Sequence, residues 1–426
     1  MRQMHLVSVH HAGPLIGGWR HPEAQNAYLD PEWWDGIART LENARFDGIF
    51  FADAQTFYND EMTRKGGDIY LLDPVPLAMS VARATRHLGI GITISSSFFE
   101  PYGVARALAS LDVLSGGRIA WNVVTSVSNQ EAQRFGMPKL LPKDERYDRA
   151  DELVEACVQL WDSFPPEAYV VDKKAALFID PDKLRPFDYR GSHVATQGPL
   201  TVPPSPQGRP VIMQAGSSER GRQFAARWAE MLFTFQRSLP TMQAFYSDMK
   251  SRLAAVGRSP EACTILPAVQ PIIGETESIA REKRDYVFSL IDDDVAIART
   301  SMSVGIDLSR FPADGKLSEM NADAGSRGAL DSLIAATAGD NLTVIEAARR
   351  YSLNALCPEL VGTAEQVADA MQEMFEENGC DGFMIMPSIM PTSTEEFARS
   401  VVPILQERGI FRREYPGTTL RESLMS

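Results

Sequence analysis

The chain has little of what many active sites are built from. Four cysteines occur in 426 residues (Cys157, Cys263, Cys357 and Cys380), far apart and without a CxxC pair. That argues against a disulfide framework or a thiolate zinc site and fits a reducing compartment. Histidine is also scarce, with six in all. His10 and His11 are adjacent and lack the alternating spacing that turns two imidazoles of one strand toward the same metal, so no metal site is expected. No run of 18 apolar residues occurs, and Met1 to Val9 is too short and interrupted for a signal peptide. A membrane span is therefore not expected. A net charge of −14 with a pI near 5.0, and no basic stripe to offset it, argues against nucleic-acid binding. Internal repeats and low-complexity tracts are also missing. The expectation is a soluble, cytoplasmic protein, and an enzyme.

What is present is a large apolar fraction, 44%, in alternating short and long periods. Short β-branched or apolar runs predict strands near Met4–Val9, Gly48–Phe51, Leu88–Ser95, Arg118–Val124, Val211–Ala215, Met231–Phe235, Thr264–Gln270 and Gly382–Met386. Helical periodicity predicts helices over Pro31–Ala44, Asp73–Ala84, Val104–Leu114, Glu145–Phe164, Ser218–Arg227, Leu239–Val256, Thr363–Asn378 and Glu395–Arg408. Eight strands alternating with eight helices predict an α/β protein, a (β/α)8 TIM barrel, in one domain spanning the chain. Gly116-Gly117 reads as a left-handed helix end, and Thr363 with Gln366 as a capping box. Two stretches exceed a minimal barrel. Pro165–Pro210 is rich in Pro and Asp and reads as an excursion, and Gly274–Glu359 reads as an inserted helical subdomain or lid. The polar tail Phe411–Ser426 is expected to wrap a neighbouring subunit.

In a barrel, catalytic groups stand where each strand ends. Those positions hold His10 and His11, Asp53 and Tyr58, the run Ser95-Ser96-Ser97-Phe98-Phe99, then Asn122, Thr125 and Ser126, and finally Gln214-Ala215-Gly216-Ser217-Ser218. No lysine is placed for a Schiff base and no carboxylate pair for glycoside hydrolysis, which disfavours an aldolase or a hydrolase. Hydroxyls, amides, one acid and many aromatics suit a planar, polar-edged cofactor that carries the chemistry itself. Asn122 lies in an apolar strand and needs a partner, either backbone or ligand, because an unpaired buried amide costs about 1–3 kcal/mol. Gly216-Ser217-Ser218 before a helix reads either as an anion site at a helix N-terminus or as an ordinary βα turn with a serine cap. Asp53 is either a loop cap or a ligand-facing acid. Phe57, Phe98 and Phe99 are either core packing or pocket wall.

The same residues, with Gly18-Trp19-Arg20-His21-Pro22, Phe46-Asp47-Gly48-Ile49-Phe50-Phe51-Ala52-Asp53, Trp121-Asn122-Val123-Val124-Thr125-Ser126, Arg146-Tyr147-Asp148-Arg149-Ala150-Asp151-Glu152 and Gly208-Arg209-Pro210-Val211-Ile212-Met213-Gln214-Ala215-Gly216-Ser217-Ser218, resemble the bacterial-luciferase-like superfamily. Within it they resemble the nitrilotriacetate/sulfone/long-chain-alkane monooxygenase group, nearly end to end. The resemblance implies a two-component enzyme that uses FMN, as FMNH2 made by a separate NAD(P)H-dependent flavin reductase, and O2 as co-substrate to oxygenate or cleave a small organic molecule. By that resemblance Asp53, Ser96, Ser97 and Asn122 surround the isoalloxazine. Tyr147, Gly216, Ser217 and Ser218 hold the phosphate, with Lys143 standing nearby where the group usually has histidine. His10 or His11, with Tyr58, is the candidate for proton transfer or substrate orientation, and Phe57, Phe98 and Phe99 are candidate pocket walls. A homodimer or homotetramer is expected. The mouth shows no Arg/Lys cluster, which favours an apolar or aromatic substrate over a polyanion. The alternatives are a deazaflavin-dependent dehydrogenase of the same superfamily and a non-catalytic flavin-binding homologue.

Overall fold

The computed structural model describes residues 2–304, 307–317, 334 and 341–425. Eight parallel strands close into a barrel: β1 (His5–His10), β2 (Gly48–Phe51), β3 (Gly89–Ser95), β4 (Ile119–Val124), β5 (Val211–Ala215), β6 (Met231–Thr234), β7 (Thr264–Ile273) and β8 (Gly382–Ile385). Sequence neighbours pair through β6, β6 pairs with β7, and β1 closes the ring against β8. Each strand is followed in turn by a covering helix: α1 (Pro31–Asn43), α2 (Pro74–Ala84), α3 (Pro101–Ser115), α4 (Lys143–Asp162), α5 (Glu219–Trp228), α6 (Leu239–Ala255), α7 (Ala364–Glu376) and α8 (Thr392–Glu407).

Local chemistry sets these boundaries. Pro31, Pro74 and Pro101 each open a helix at a position whose N–H would lack a partner anyway, and Asp30 and Asp73 cap two of them. Gly116 ends α3 at φ 75°, and Thr363 with Gln366 forms the capping box of α7. Both faces of every strand are buried, so the alternation along each strand divides two cores. Val7, Phe50, Ala120, Met213, Phe233, Leu266 and Met384 fill the barrel, while Leu6, Ile49, Phe51, Ile92 and Trp121 pack against the helices.

The excursion after α4 contains two antiparallel hairpins, Tyr169–Asp172 with Leu177–Ile179 and Asp188–Arg190 with Ala195–Gln197. Between β7 and α7 stand helices Glu277–Ser289, Asp293–Val304 and Val344–Asn354. The parts of that expected insertion at 305–306, 318–333 and 335–340 lie outside the described residues. A strand not expected from the sequence, Glu359–Gly362, pairs with the last residues of β7, which explains why β7 runs three residues beyond its expected end.

The tail corrects its expectation. It folds under its own barrel: Leu420 and Leu424 join the inner core, and Arg412 pairs with the fully buried Asp47. Among the described residues, no helix is long and apolar enough to cross a membrane.

Candidate functional site at the barrel mouth

Parity along β1 separates the two candidate histidines. Leu6, Ser8 and His10 share one side and Val7 and Val9 the other. His10 therefore points into the helix layer, with its Nε2 2.8 Å from Ser8 Oγ and its ring edge-on to Trp34. Burial, with His11 adding to it, drives its pKa down to about 3. The expectation that His10 moves protons is thereby corrected: it is a neutral packing residue. His11, past the strand end, is half-buried with Nε2 3.0 Å from the Pro14 carbonyl, and its ring is tilted against Tyr70 at 5.2 Å.

Around His11 the β2 loop gathers titratable groups. Asp53 is half-buried, and burial, aided by Asp73 and Glu131, pushes its pKa to about 7. Burial and then Glu131 and Asp68 push the Tyr58 phenol up, so it stays a hydroxyl at physiological pH. Glu131, on a short helix Asn129–Arg134 after β4, is 4% exposed and accepts from Gln55 N at 3.2 Å. Sequence reading missed Glu131, because nothing local distinguishes it from a surface acid.

Asn122 sits on the inward face of β4. Its Nδ2 donates to Thr93 Oγ1 at 3.0 Å, and Thr93 in turn donates to Phe51 O. Its Oδ1 is buried with no partner among the described residues. Ser96 and Ser97 are buried and donate to the carbonyls of Val124, at the end of β4, and Thr125, just past it, so their first task is to join the ends of β3 and β4. Arg149 on α4 reaches the Ser96 and Phe99 carbonyls and steadies the same turn. Phe98 stacks on Phe135 at 4.5 Å, and Phe99 meets that ring edge-on. Phe57 is 52% exposed.

The β5–α5 turn forms a second polar focus. Ser218 caps α5, accepting from Gly221 N at 3.2 Å, while Ser217 is exposed. Tyr147 is buried and is crossed by the Arg220 guanidinium at 5.4 Å. A Cβ on Gly221 would lie 2.9 Å from the Tyr147 hydroxyl, and a Cβ on Gly216 would lie 2.2 Å from Gln214 Nε2. Tyr147, Ser218 and the Gln214 amide thus converge on a cradle that only glycine leaves open, at the N-terminus of a ten-residue helix. Gln214 Oε1 is buried without a partner among the described residues. Lys143 is exposed in the first turn of α4, four residues before Tyr147 and so on its side of the helix.

The orphaned Asn122 amide oxygen and the open N-terminal cradle suit a ligand with hydrogen-bond donors at one end and an anion at the other, as FMN has. The three carboxylates that approach each other, Glu61, Asp292 and Asp294, surround the Lys65 ammonium, at 2.9 and 3.0 Å for the two aspartates. They share that lysine as a common counter-ion. The surface clefts lined by Arg284, Phe288 and Leu342, or by Trp161, Phe164 and Arg209, include none of the mouth residues.

The ratio of reduced-FMN affinity between Asp53→Asn and the parent chain is expected to rise as pH increases through about 7. Above that pH the parent carboxylate repels an anionic ligand and the amide does not, while the titration of the free ligand is common to both. Anaerobic binding titrations from pH 5.5 to 8.5 check this, and a flat ratio counts against Asp53 at the ligand.

Comparisons with known proteins identify the family. Residues 18–382 match the family described as luciferase-like monooxygenase. The chain is 43% identical to the dibenzothiophene-sulfone monooxygenase of Rhodococcus erythropolis (strain XP), over 99% of this chain and 96% of that protein. It is 39% identical to nitrilotriacetate monooxygenase component A of Aminobacter aminovorans, covering 97% and 94%. Among solved structures, a riboflavin lyase holding modified FMN and riboflavin superposes with a TM-score of 0.88 at 33% identity, covering 100% of this chain and 96% of that one.

Proposed function

Since the chain belongs to the luciferase-like monooxygenase family, we propose that it is an FMNH2-dependent monooxygenase acting on a small, uncharged, apolar or aromatic substrate. The observation that carries the reading is the pairing of Asn122's unpartnered amide oxygen, facing the barrel interior, with the open cradle at Gly216, Ser218 and Tyr147. Asn122 would hold the isoalloxazine edge. Tyr147, Ser218 and the first N–H groups of α5 would hold the phosphate, with Lys143 and Ser217 adding to it from the exposed side. When bound, reduced FMN supplies the activation of O2.

The chain's own residues do the rest. The barrel's packed core and the aromatic group Phe98, Phe99 and Phe135 would limit the access of water to the reacting centre. The Pro14 carbonyl can only accept, so it fixes the proton of neutral His11 on Nε2 and leaves Nδ1 as the acceptor. His11 then takes or orients a proton, and Tyr58 offers a hydroxyl donor. Asp53, Asp68 and Glu131 stand around the mouth, and Arg299 pairs with Asp68, a balance that would repel a polyanion. The relative named as component A supports a separate flavin reductase as the second component. We place the protein in the cytoplasm as a homo-oligomer.

The test supplies a flavin reductase, NADH, FMN and 18O2, with dibenzothiophene sulfone, the compound named in a relative, as first probe. One 18O atom in the product is expected. Product formed under nitrogen with a reduced deazaflavin would mean the dehydrogenase, and FMN binding without any oxygenated product across uncharged sulfur, aromatic and alkane probes would mean a non-catalytic homologue.

A further inference from the structure

The inserted helix Asp293–Val304 is docked on the β1 and β2 loops by more than it needs. Ile16, Ile291, Val295 and Ala296 bury a common apolar patch, and Lys65 clamps Asp292 and Asp294. To this is added an ion pair between Arg299 Nε and Asp68 Oδ2, both mostly buried. Such a pair is roughly neutral for stability, because desolvation offsets the attraction. The loop is nevertheless bent to make it. Asp68 takes φ 41°, a left-handed conformation that a residue with a side chain seldom adopts, and a Cβ on the preceding Gly67 would lie 2.8 Å from Val295 Cγ1. Strain of this kind is found where a group must be held in one place.

We propose that Arg299, reaching from the inserted helix to Asp68, is a positioning residue that completes the site around His11 and Tyr70. The inference rests on reading the barrel mouth as the site. Among the described residues, His11 is faced by the Pro14 carbonyl, His10, Asp68, Arg299 and the Tyr70 ring, with Tyr58 and Asp53 acting on Tyr70 behind it. Burial dominates and lowers the His11 pKa; Asp68 pulls it up and Arg299 pushes it down. The two charges act with the same opposed signs on Tyr58 and Tyr70. Arg299 therefore opposes a carboxylate that pulls toward the imidazolium and away from a free Nδ1 lone pair. The insertion delivers a charge that acts in the same direction as burial on His11.

Histidine titration by NMR on flavin-free, isotope-labelled protein reads this without turnover, so a failure of the oxygenation assay would leave the result standing. Arg299→Met is expected to raise the His11 midpoint by about one to two pH units. Arg299→Lys should leave it close to the parent value. Arg299→Met with Asp68→Asn should return it there, since the pair is then removed as a neutral unit. An unchanged midpoint in Arg299→Met, or one that stays raised in the double variant, would overturn the proposal. If Arg299→Met does not fold, Asp68→Asn alone decides: a lowered midpoint supports the proposal and an unchanged one contradicts it.

Discussion

Asn122→Leu is expected to weaken reduced-FMN binding about ten- to a hundredfold while leaving the empty protein as stable as before, or more so. The two halves of that result come from one atom. Asn122 Oδ1 is buried without a partner among the described residues, a state that costs about 1–3 kcal/mol in the ligand-free chain. Leucine of similar volume removes the cost. It also removes the Nδ2 bond to Thr93 Oγ1, worth about 1 kcal/mol, but Thr93 keeps its own bond to Phe51 O. If the oxygen normally accepts from the isoalloxazine, its loss falls on binding and amounts to the stated factor. A structural asparagine would behave the other way: melting would fall and flavin affinity would not. Anaerobic binding titrations beside thermal unfolding separate the two.

Asp47→Ala, at the other end of the barrel, is expected to do the reverse. Asp47 is fully buried, accepts from Leu6 N at 2.8 Å, and meets both His5 at 2.9 Å and Arg412 at 2.6 Å. Removing it leaves the Arg412 cation buried without its counter-charge, a change that costs about 3–5 kcal/mol. A fall in melting temperature of about 3–6 °C follows, given the size dependence of such shifts. Any protein still folded should bind flavin normally, because the N-terminal face of a barrel serves stability and the C-terminal face serves chemistry. The acid limb gives a second reading. Burial alone would raise the Asp47 carboxyl, but Arg412 and His5 outweigh it and hold the pKa below the usual carboxylate range. The stability it contributes is present above about pH 4 and is lost as pH falls through the lowered native value. Asp47→Ala should therefore flatten the loss of stability on acidification, as well as lower the plateau. An unchanged acid limb would remove Asp47 from that role.

The barrel was legible because both signals that define it are local. All eight expected strands overlap observed ones, since β-branched runs bounded by Gly or Pro need no distant information. The helix starts at Pro31 and near Asp73 follow from caps written in the sequence. What failed to be legible depends on parity or on distance. His10 and His11 differ by one step along a strand whose two faces are both buried, so apolar alternation could not say which imidazole faces the mouth; Trp34 from α1 decides it. The strand Glu359–Gly362 exists because β7 offers it an edge. Glu131, Arg149 and Arg299 reach the mouth from three separate segments, and each looks like surface charge until the chain closes. The phosphate cradle lies between these cases. Gly216 and Ser218 were readable as a turn, but only Tyr147 lying over Gly221 turns that motif into a pocket.

The central claim is that the mouth of this barrel holds reduced FMN between Asn122 and the β5–α5 cradle. A crystal structure of the protein with FMN tests it most directly. The account predicts an isoalloxazine edge within hydrogen-bonding distance of Asn122 Oδ1 and the phosphate against Tyr147 Oη, Ser218 Oγ and the first N–H groups of α5. FMN bound elsewhere on the chain, with Asn122 Oδ1 and Gly221 untouched, would contradict it.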